Sequence, residues 1–266
     1  MTVSPDKGFA DAADAYDRHV GRYGSQLAAG LVAAARVPRD GRVLDIGCGP
    51  GPLTSELAAL VGAERVAAVD PSEAFVQACR ARVPGADVRV GVAERLPFAA
   101  NSFDAVLAQL VVPLMEDREA GVREMARVAR PGAAVAACVW DSTTMPLLSA
   151  YWDAALAVAP DEAGAFDEGR RVGYPDAQDL AELWNRCGLS GVTTGQLLVT
   201  ADYASFDDLF QPFTTGTGNS GSVYRGLDVA KRQRLREAAY DLLGEPDDNF
   251  TLTARAWWVR GEAPEM

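Results

Sequence analysis

Between Arg42 and Trp140 apolar runs alternate with amphipathic stretches, and this alternation limits the possible folds more than any other feature of the chain. The runs are RVLDIG, RVAAVD, DVRVGVA, FDAVLAQLVV and AAVAACVW, and the stretches between them include Leu53 to Leu60, Ser72 to Val83 and Arg118 to Arg130. Strands separated by helices predict βαβ units, and hence a parallel, doubly wound α/β sheet. Strands covered on both faces should be apolar throughout, with no polar alternation, and these five largely are.

The flanks of this core are less regular. Phe9 to Val37 reads as a helical lead-in, with Leu27, Leu31 and Val32 at helical spacing. After Trp140, MPLLSAYWDAALAVA reads as a helix and PDEAGAFDEGRRVGYP as a loop. DAQDLAELWNRCG reads as a helix stopped by Gly188, and VTTGQLLVTADY as a strand. The Gly-, Ser- and Thr-rich stretch Thr214 to Gly226 reads as a flexible loop: either a mobile lid or an ordinary exposed connection. A helix in LDVAKRQRLREAAYDLLG and a strand from Phe250 to Arg260 complete the pattern. The expected organisation is a lead-in over 1–40, a ligand-binding core over 41–141, and the remaining strands with substrate-cap insertions over 142–266.

Charge and cysteine content exclude several classes. Asp plus Glu number 37 against 25 Lys plus Arg, a formal charge of −12, and such a surface repels a phosphate backbone. A nucleic-acid partner is therefore not expected. MTVSPDKGFADAAD lacks the basic start and apolar run of a secretory signal, and no segment is long and apolar enough to span a bilayer. Cys48, Cys79, Cys138 and Cys187 form no C-x-x-C pair, so neither a metal site nor a disulfide framework is expected. A cytoplasmic protein fits these features.

The strongest local signal is Val43-Leu44-Asp45-Ile46-Gly47-Cys48-Gly49-Pro50-Gly51, an apolar strand running into a glycine-rich turn and then a helix. Such a turn brings backbone amides close to a ligand. At the end of the next strand, Asp70 stands where an acid can accept both hydroxyls of a ribose. The glycine spacing is not G-x-G-x-x-G, and Asp45 would meet a dinucleotide's pyrophosphate with unwelcome negative charge. A nucleoside cofactor carrying a cationic amine suits the pattern better.

LDIGCGPG, Asp70 in DPSEAF, GVAERLPFAANSFDAVLAQ and EMARVARPGA occur in order, and together they resemble the class I S-adenosylmethionine-dependent methyltransferases. The likeness is greatest to the family of ubiquinone and menaquinone biosynthesis methyltransferases, and it covers roughly Tyr16 to Trp140. It implies a Rossmann-like, mostly parallel seven-stranded sheet with helical cap insertions. It also implies S-adenosyl-L-methionine as cofactor, S-adenosyl-L-homocysteine as product, and a small-molecule acceptor. Carried over by position, Gly47, Cys48 and Gly49 would line the amino-acid end of the cofactor, and Asp45 and Gly51 would belong to the same cofactor-binding set. Asp70 would hold the ribose, Ser72 and Phe75, with Ala93 and Glu94, would border the adenine, and Pro71 would belong to the cofactor-binding set. Gln109 would face the methionine amine, with Leu110 beside it. Val92 stands where the family often has an acid, so a side-chain contact to the adenine amino group is not expected there and backbone groups would have to serve.

Other readings of the same residues stay open. Gly49 and Gly51 could merely shape a strand-to-helix turn, and Asp70 could merely cap the next helix. In YDRHVGRYG, Tyr16 and Arg22 match a lead-in that folds over the cofactor, where Arg22 would pair with a carboxylate; a solvated helix face is the alternative. His19, the only histidine, is either a base or a surface residue. Trp140, Tyr151, Trp152, Tyr174, Phe206, Phe210, Phe213 and Tyr224 either wall an apolar acceptor pocket or form the core of a cap. No side chain stands out as a catalytic base. A non-methylating reaction on the same cofactor, such as a cyclisation, is the main rival, ahead of a nicotinamide oxidoreductase and a non-catalytic binder.

Overall fold

The computed structural model describes residues 20–141, 145–164, 176–214, 218–246 and 248–265. Tyr16, His19 and Tyr174 lie outside them, as does most of the loop expected before Pro175. Seven strands form one sheet: β1 (Val43–Ile46), β2 (Val66–Asp70), β3 (Asp87–Val90), β4 (Phe103–Gln109), β5 (Ala129–Trp140), β6 (Ser190–Tyr203) and β7 (Phe250–Glu262). Their order is β3-β2-β1-β4-β5-β7-β6. The first five are parallel, and β7 runs antiparallel between β5 and β6. The strand order reverses between β1 and β4, where a doubly wound sheet opens its ligand crevice at the carboxyl ends.

Apolar character agrees with burial in the centre of the sheet, where every residue of β1 and β2 is buried. β3 departs from the expectation: Val88 is buried, but Arg89 and Val90 are exposed. It is the edge strand, with no neighbour beyond it, so its outer end faces solvent.

Two of the four core helices start where the sequence supplies a side-chain acceptor for their orphan amides, and the other two start at Tyr23 and Gly51 without one. In order come α1 (Gly24–Ala35), α2 (Pro52–Val61), α3 (Glu73–Arg82) and α4 (Arg118–Val128). Ser72 caps α3 by accepting from the Phe75 amide, and Asp117 caps α4 by accepting from Ala120. The chain leaves α4 at Val128, so Arg130, expected in the helix, belongs to β5.

Beyond β5 come α5 (Pro146–Val158), the single turn α6 (Pro160–Ala163) and α7 (Ala177–Arg186). Asp176 caps α7, and Trp184 Nε1 on that helix donates to the Val135 carbonyl at 2.9 Å, fixing it to β5. The cap is completed by α8 (Phe206–Thr214), α9 (Gly218–Gly226) and α10 (Val229–Leu242). The helices α8 and α9 correct the loop expected over Thr214 to Gly226. Small polar residues lower helix propensity, but Val223 and Leu227 are buried in the cap core, and that burial outweighs propensity.

The cap aromatics pack mainly against one another. Tyr151 stacks on Phe213 at 4.3 Å between centroids and meets Trp152 edge-on at 5.3 Å. Phe210 lies 5.4 Å from Phe206 and 5.8 Å from Tyr224. Of the described aromatics named as possible pocket walls, Tyr151, Trp152, Phe206, Phe210 and Phe213 are buried cap core. Trp140 and Tyr224 are only partly buried.

Candidate cofactor site

The three glycines of the turn after β1 all have left-handed backbone, with φ of +66° at Gly47, +52° at Gly49 and +102° at Gly51. Their surroundings separate their roles. A Cβ at Gly47 would lie 2.3 Å from Val111 Cγ2, and one at Gly51 would lie 3.0 Å from Cys79 Sγ. Gly47 and Gly51 are therefore glycines because protein packs against them. A Cβ at Gly49 meets no atom within 4 Å, so that residue faces open space.

Asp70, at the carboxyl end of β2, binds this turn directly. Its Oδ2 accepts from the Gly49 amide at 2.9 Å and its Oδ1 from the Ser72 amide at 2.8 Å. One carboxylate thus fixes both the glycine turn and the start of α3. Burial pushes its carboxyl above the usual range, while the two amides pull it back. Each oxygen keeps lone-pair capacity for a further donor.

Asp45 and Gln109 share an unusual state. Asp45 is fully buried, and its Oδ2 accepts from Thr54 Oγ1 at 2.6 Å, while its Oδ1 has no partner. Burial, opposed by the Thr54 hydrogen bond and reinforced by the Asp70 charge, raises its carboxyl to about 7. Gln109 donates through Nε2 to the Gly24 carbonyl at 3.1 Å, leaving its Oε1 buried and unpaired. These two orphan acceptors stand on adjacent strands, at the ends facing the crevice. Leaving such groups unsatisfied costs about 1–3 kcal/mol each, and more for an ionised carboxylate. Leu110 follows with φ of +63°, a strained conformation for a non-glycine residue, at the carboxyl end of β4.

The remaining expected residues surround this centre. Pro71 is exposed, and Ser72 and Phe75 are half-buried around the start of α3. Ala93 is buried, and Glu94 Oε1 accepts from the Glu116 amide at 2.9 Å, linking the segment after β3 to the loop before α4. Arg22 is bound elsewhere. It forms a two-pronged ion pair with Asp208 of α8, donates to the Asp202 carbonyl at 3.0 Å, and lies over the Tyr203 ring at 4.8 Å. Neither a solvated helix face nor a free partner for a ligand carboxylate describes it; it joins the lead-in to the cap.

Sequence reasoning missed Thr54 and Val111. Thr54 is a polar residue on the face of α2 shared with Leu53 and Leu57, a position where a hydroxyl needs a buried partner, and that signal could have revealed it. Val111 could be placed against Gly47 only by the fold.

A doubly wound sheet with a glycine turn, an acid after the second strand and two unpaired acceptors at the switch point is the arrangement of a nucleoside-cofactor domain. Residues 44–137 match the family described as "Methyltransferase domain". The chain is 34% identical over 178 residues to a demethylmenaquinone methyltransferase of Roseiflexus sp., covering 61% of this chain and 73% of that protein. It is 32% identical over 165 residues to the demethylmenaquinone methyltransferase of Desulfitobacterium hafniense, covering 56% and 65%. The fold matches a Haemonchus contortus phosphoethanolamine N-methyltransferase 2, in complex with phosphomonomethylethanolamine and S-adenosylhomocysteine. That match has a TM-score of 0.59 at 17% identity, over 100% of this chain and 59% of that one. The chain belongs to the S-adenosylmethionine-dependent methyltransferases, in the family that includes the demethylmenaquinone methyltransferases. Its cofactor is S-adenosylmethionine, and a non-methylating cyclisation is not the favoured reading.

Proposed function

We propose that the crevice formed by β1, β2 and β4 holds S-adenosylmethionine, and that the chain methylates an apolar or aromatic small molecule bound beneath the cap. The observation that carries the cofactor placement is the pair of unpartnered buried acceptors, Asp45 Oδ1 and Gln109 Oε1, at adjacent strand ends. An ammonium has donors for both. Gly49 leaves room for the ligand, and Asp70 has lone pairs left for ribose hydroxyls. Ser72, Phe75, Ala93 and Glu94 border the adenine side. Tyr16 remains a proposed contact from the lead-in, and Arg22 acts as a clamp between lead-in and cap.

The cofactor supplies a methyl group already activated on a sulfonium. The protein's own task is then to align the acceptor and exclude water, and alignment alone supplies roughly 7–11 kcal/mol in favourable cases. Leu110, Val111 and Trp140, all only partly buried, offer an apolar surface beside Gly47 and under the cap. The apolar surface and the net charge of −12 favour an uncharged ring or chain over a nucleic acid. Among the described residues no helix is long and apolar enough to cross a membrane. Incubation with methyl-labelled cofactor and a panel of apolar and aromatic hydroxyl, amine and carbon nucleophiles tests the acceptor class. Transfer confined to highly charged acceptors would refute it.

A further inference from the structure

Thr54 and Ser55 are consecutive hydroxyl residues near the start of α2, and they use their protons differently. Ser55 Oγ donates to the Gly51 carbonyl of the preceding turn at 2.8 Å, the ordinary use of a hydroxyl inside a helix. Thr54 is fully buried, and its Oγ1 donates away from the helix, to Asp45 Oδ2 on β1 at 2.6 Å. The same oxygen accepts from Cys79 Sγ of α3 at 3.4 Å. A hydroxyl has a single proton, so a thiol donating into Thr54 leaves that proton for the carboxylate. The elements β1, α2 and α3 thus meet in one chain of donors that ends on Asp45, and donation into each donor strengthens the next bond.

This chain commits only one oxygen of the carboxylate. Asp45 Oδ1 stays buried and unpartnered, on the strand beside Gln109 and its equally unpartnered Oε1. Thr54 is set on the other oxygen, so it acts on anything bound at Oδ1 only through Asp45. The surrounding groups pull in both directions. Burial and the Asp70 charge from β2 oppose ionisation of Asp45, and the Thr54 hydroxyl and amide support it. Cys48 in the glycine turn and Cys79 of α3 lie within electrostatic reach, and Arg82 of α3 acts on Cys79. Gln109 on β4 is uncharged.

We propose that Thr54 is a positioning residue for the cofactor's amine: its hydroxyl binds Asp45 Oδ2, keeps the carboxylate ionised inside the fold and leaves Oδ1 as the acceptor for the ammonium. The inference rests on the reading that Asp45 receives that ammonium. Without the hydroxyl, the buried carboxyl loses a donor that favours its charged form, so it holds its proton to higher pH. Cofactor affinity then falls at low pH and returns at high pH. A purely structural loss would be equal at every pH. The Thr54 amide remains whatever side chain stands there, so substitutions isolate the hydroxyl.

The test compares the full-length wild type, Thr54→Val and Thr54→Ser by calorimetric titration with S-adenosylhomocysteine between about pH 6 and about pH 8.5. Val keeps the branched shape and removes the hydroxyl, while Ser keeps the hydroxyl. For Thr54→Val the midpoint of the affinity profile should rise by about one pH unit, weakening binding about tenfold near about pH 6 and less than about twofold near about pH 8.5. Thr54→Ser should follow the wild type. If Thr54→Val does not fold, Thr54→Cys, whose thiol is a weaker donor, should show a smaller shift in the same direction. In parallel, NMR of the ligand-free chain with isotope-labelled aspartate follows the Asp45 carboxyl itself, its signal identified by loss in Asp45→Asn. The same upward shift should appear there. An equal loss of affinity at every pH, an unshifted Asp45 titration without the hydroxyl, or a Thr54→Ser variant that shifts as Thr54→Val does would overturn the proposal. Failure of the wild type to bind S-adenosylhomocysteine would remove the cofactor placement and with it the positioning of the amine, while the Asp45 titration would still decide whether Thr54 holds that carboxylate ionised.

Discussion

The carboxyl of Asp45 should make the proposed cofactor site sensitive to pH, and the direction follows from its burial. With its value raised to about 7, the protonated form is favoured in the cofactor-free fold. The stability this protonation contributes is fully present below about 4 and lost as pH rises through about 7. An ammonium ligand needs the ionised form, so cofactor affinity runs the opposite way. Calorimetry between about pH 6 and 8 should show binding tightening as pH rises, with proton release near neutrality, and Asp45→Asn should flatten the profile. The glycines give a second, paired test. Gly47→Ala should lower the thermal midpoint, because its Cβ would overlap Val111. Gly49→Ala meets no atom and carries only the left-handed strain of about 1–2 kcal/mol. Its main effect should therefore be on S-adenosylhomocysteine affinity, provided ligand occupies the space it faces. The position of Asp70 beside the glycine turn was legible from sequence because its partners, Gly49 and Ser72, are local to the same motif. The Arg22–Asp208 pair was not, because its members lie 186 positions apart and only the packed cap brings them together.

At the scale of elements, strand and helix identity followed from hydrophobic period wherever a segment was buried on the expected faces. It failed where position in the sheet or cap set the environment. The solvent-facing end of β3 comes from its place at the sheet edge, which periodicity does not report. The helix α9 was hidden by its composition, since Gly and Ser disfavour an isolated helix, yet Val223 and Leu227 anchor it among cap aromatics. This changes the exchange experiment that a flexible lid would call for. Amides near Val223 should already be protected without ligand, and fast exchange there in the free protein would contradict a packed α9. The stack of Phe213 on Tyr151 is a second handle on the cap. Phe213→Ala should cost about 3–5 kcal/mol of cap stability. Limited proteolysis should find cleavage appearing within 206–226 while β1 to β5 stay intact.

Across the whole molecule, the core and the cap were not equally readable. The core is a set of local rules repeated in order, strand to glycine turn to helix, and each rule leaves its mark within about ten residues. The cap is held by contacts between distant segments, such as Tyr23 edge-on to Trp140 at 5.4 Å and Gln26 bonded to both backbone groups of Thr200. No local pattern announces these. The same division explains why the cofactor follows from the chain while the proposed acceptor surface depends on Leu110, Val111 and Trp140, which only the fold brings together. The central claim, that the switch-point crevice is built for an aminoacyl nucleoside and not a dinucleotide, has a direct test. Calorimetric titration of the reduced protein with S-adenosylhomocysteine and, separately, with NAD should show micromolar or tighter binding of the first and none of the second; binding of NAD without S-adenosylhomocysteine would contradict the account.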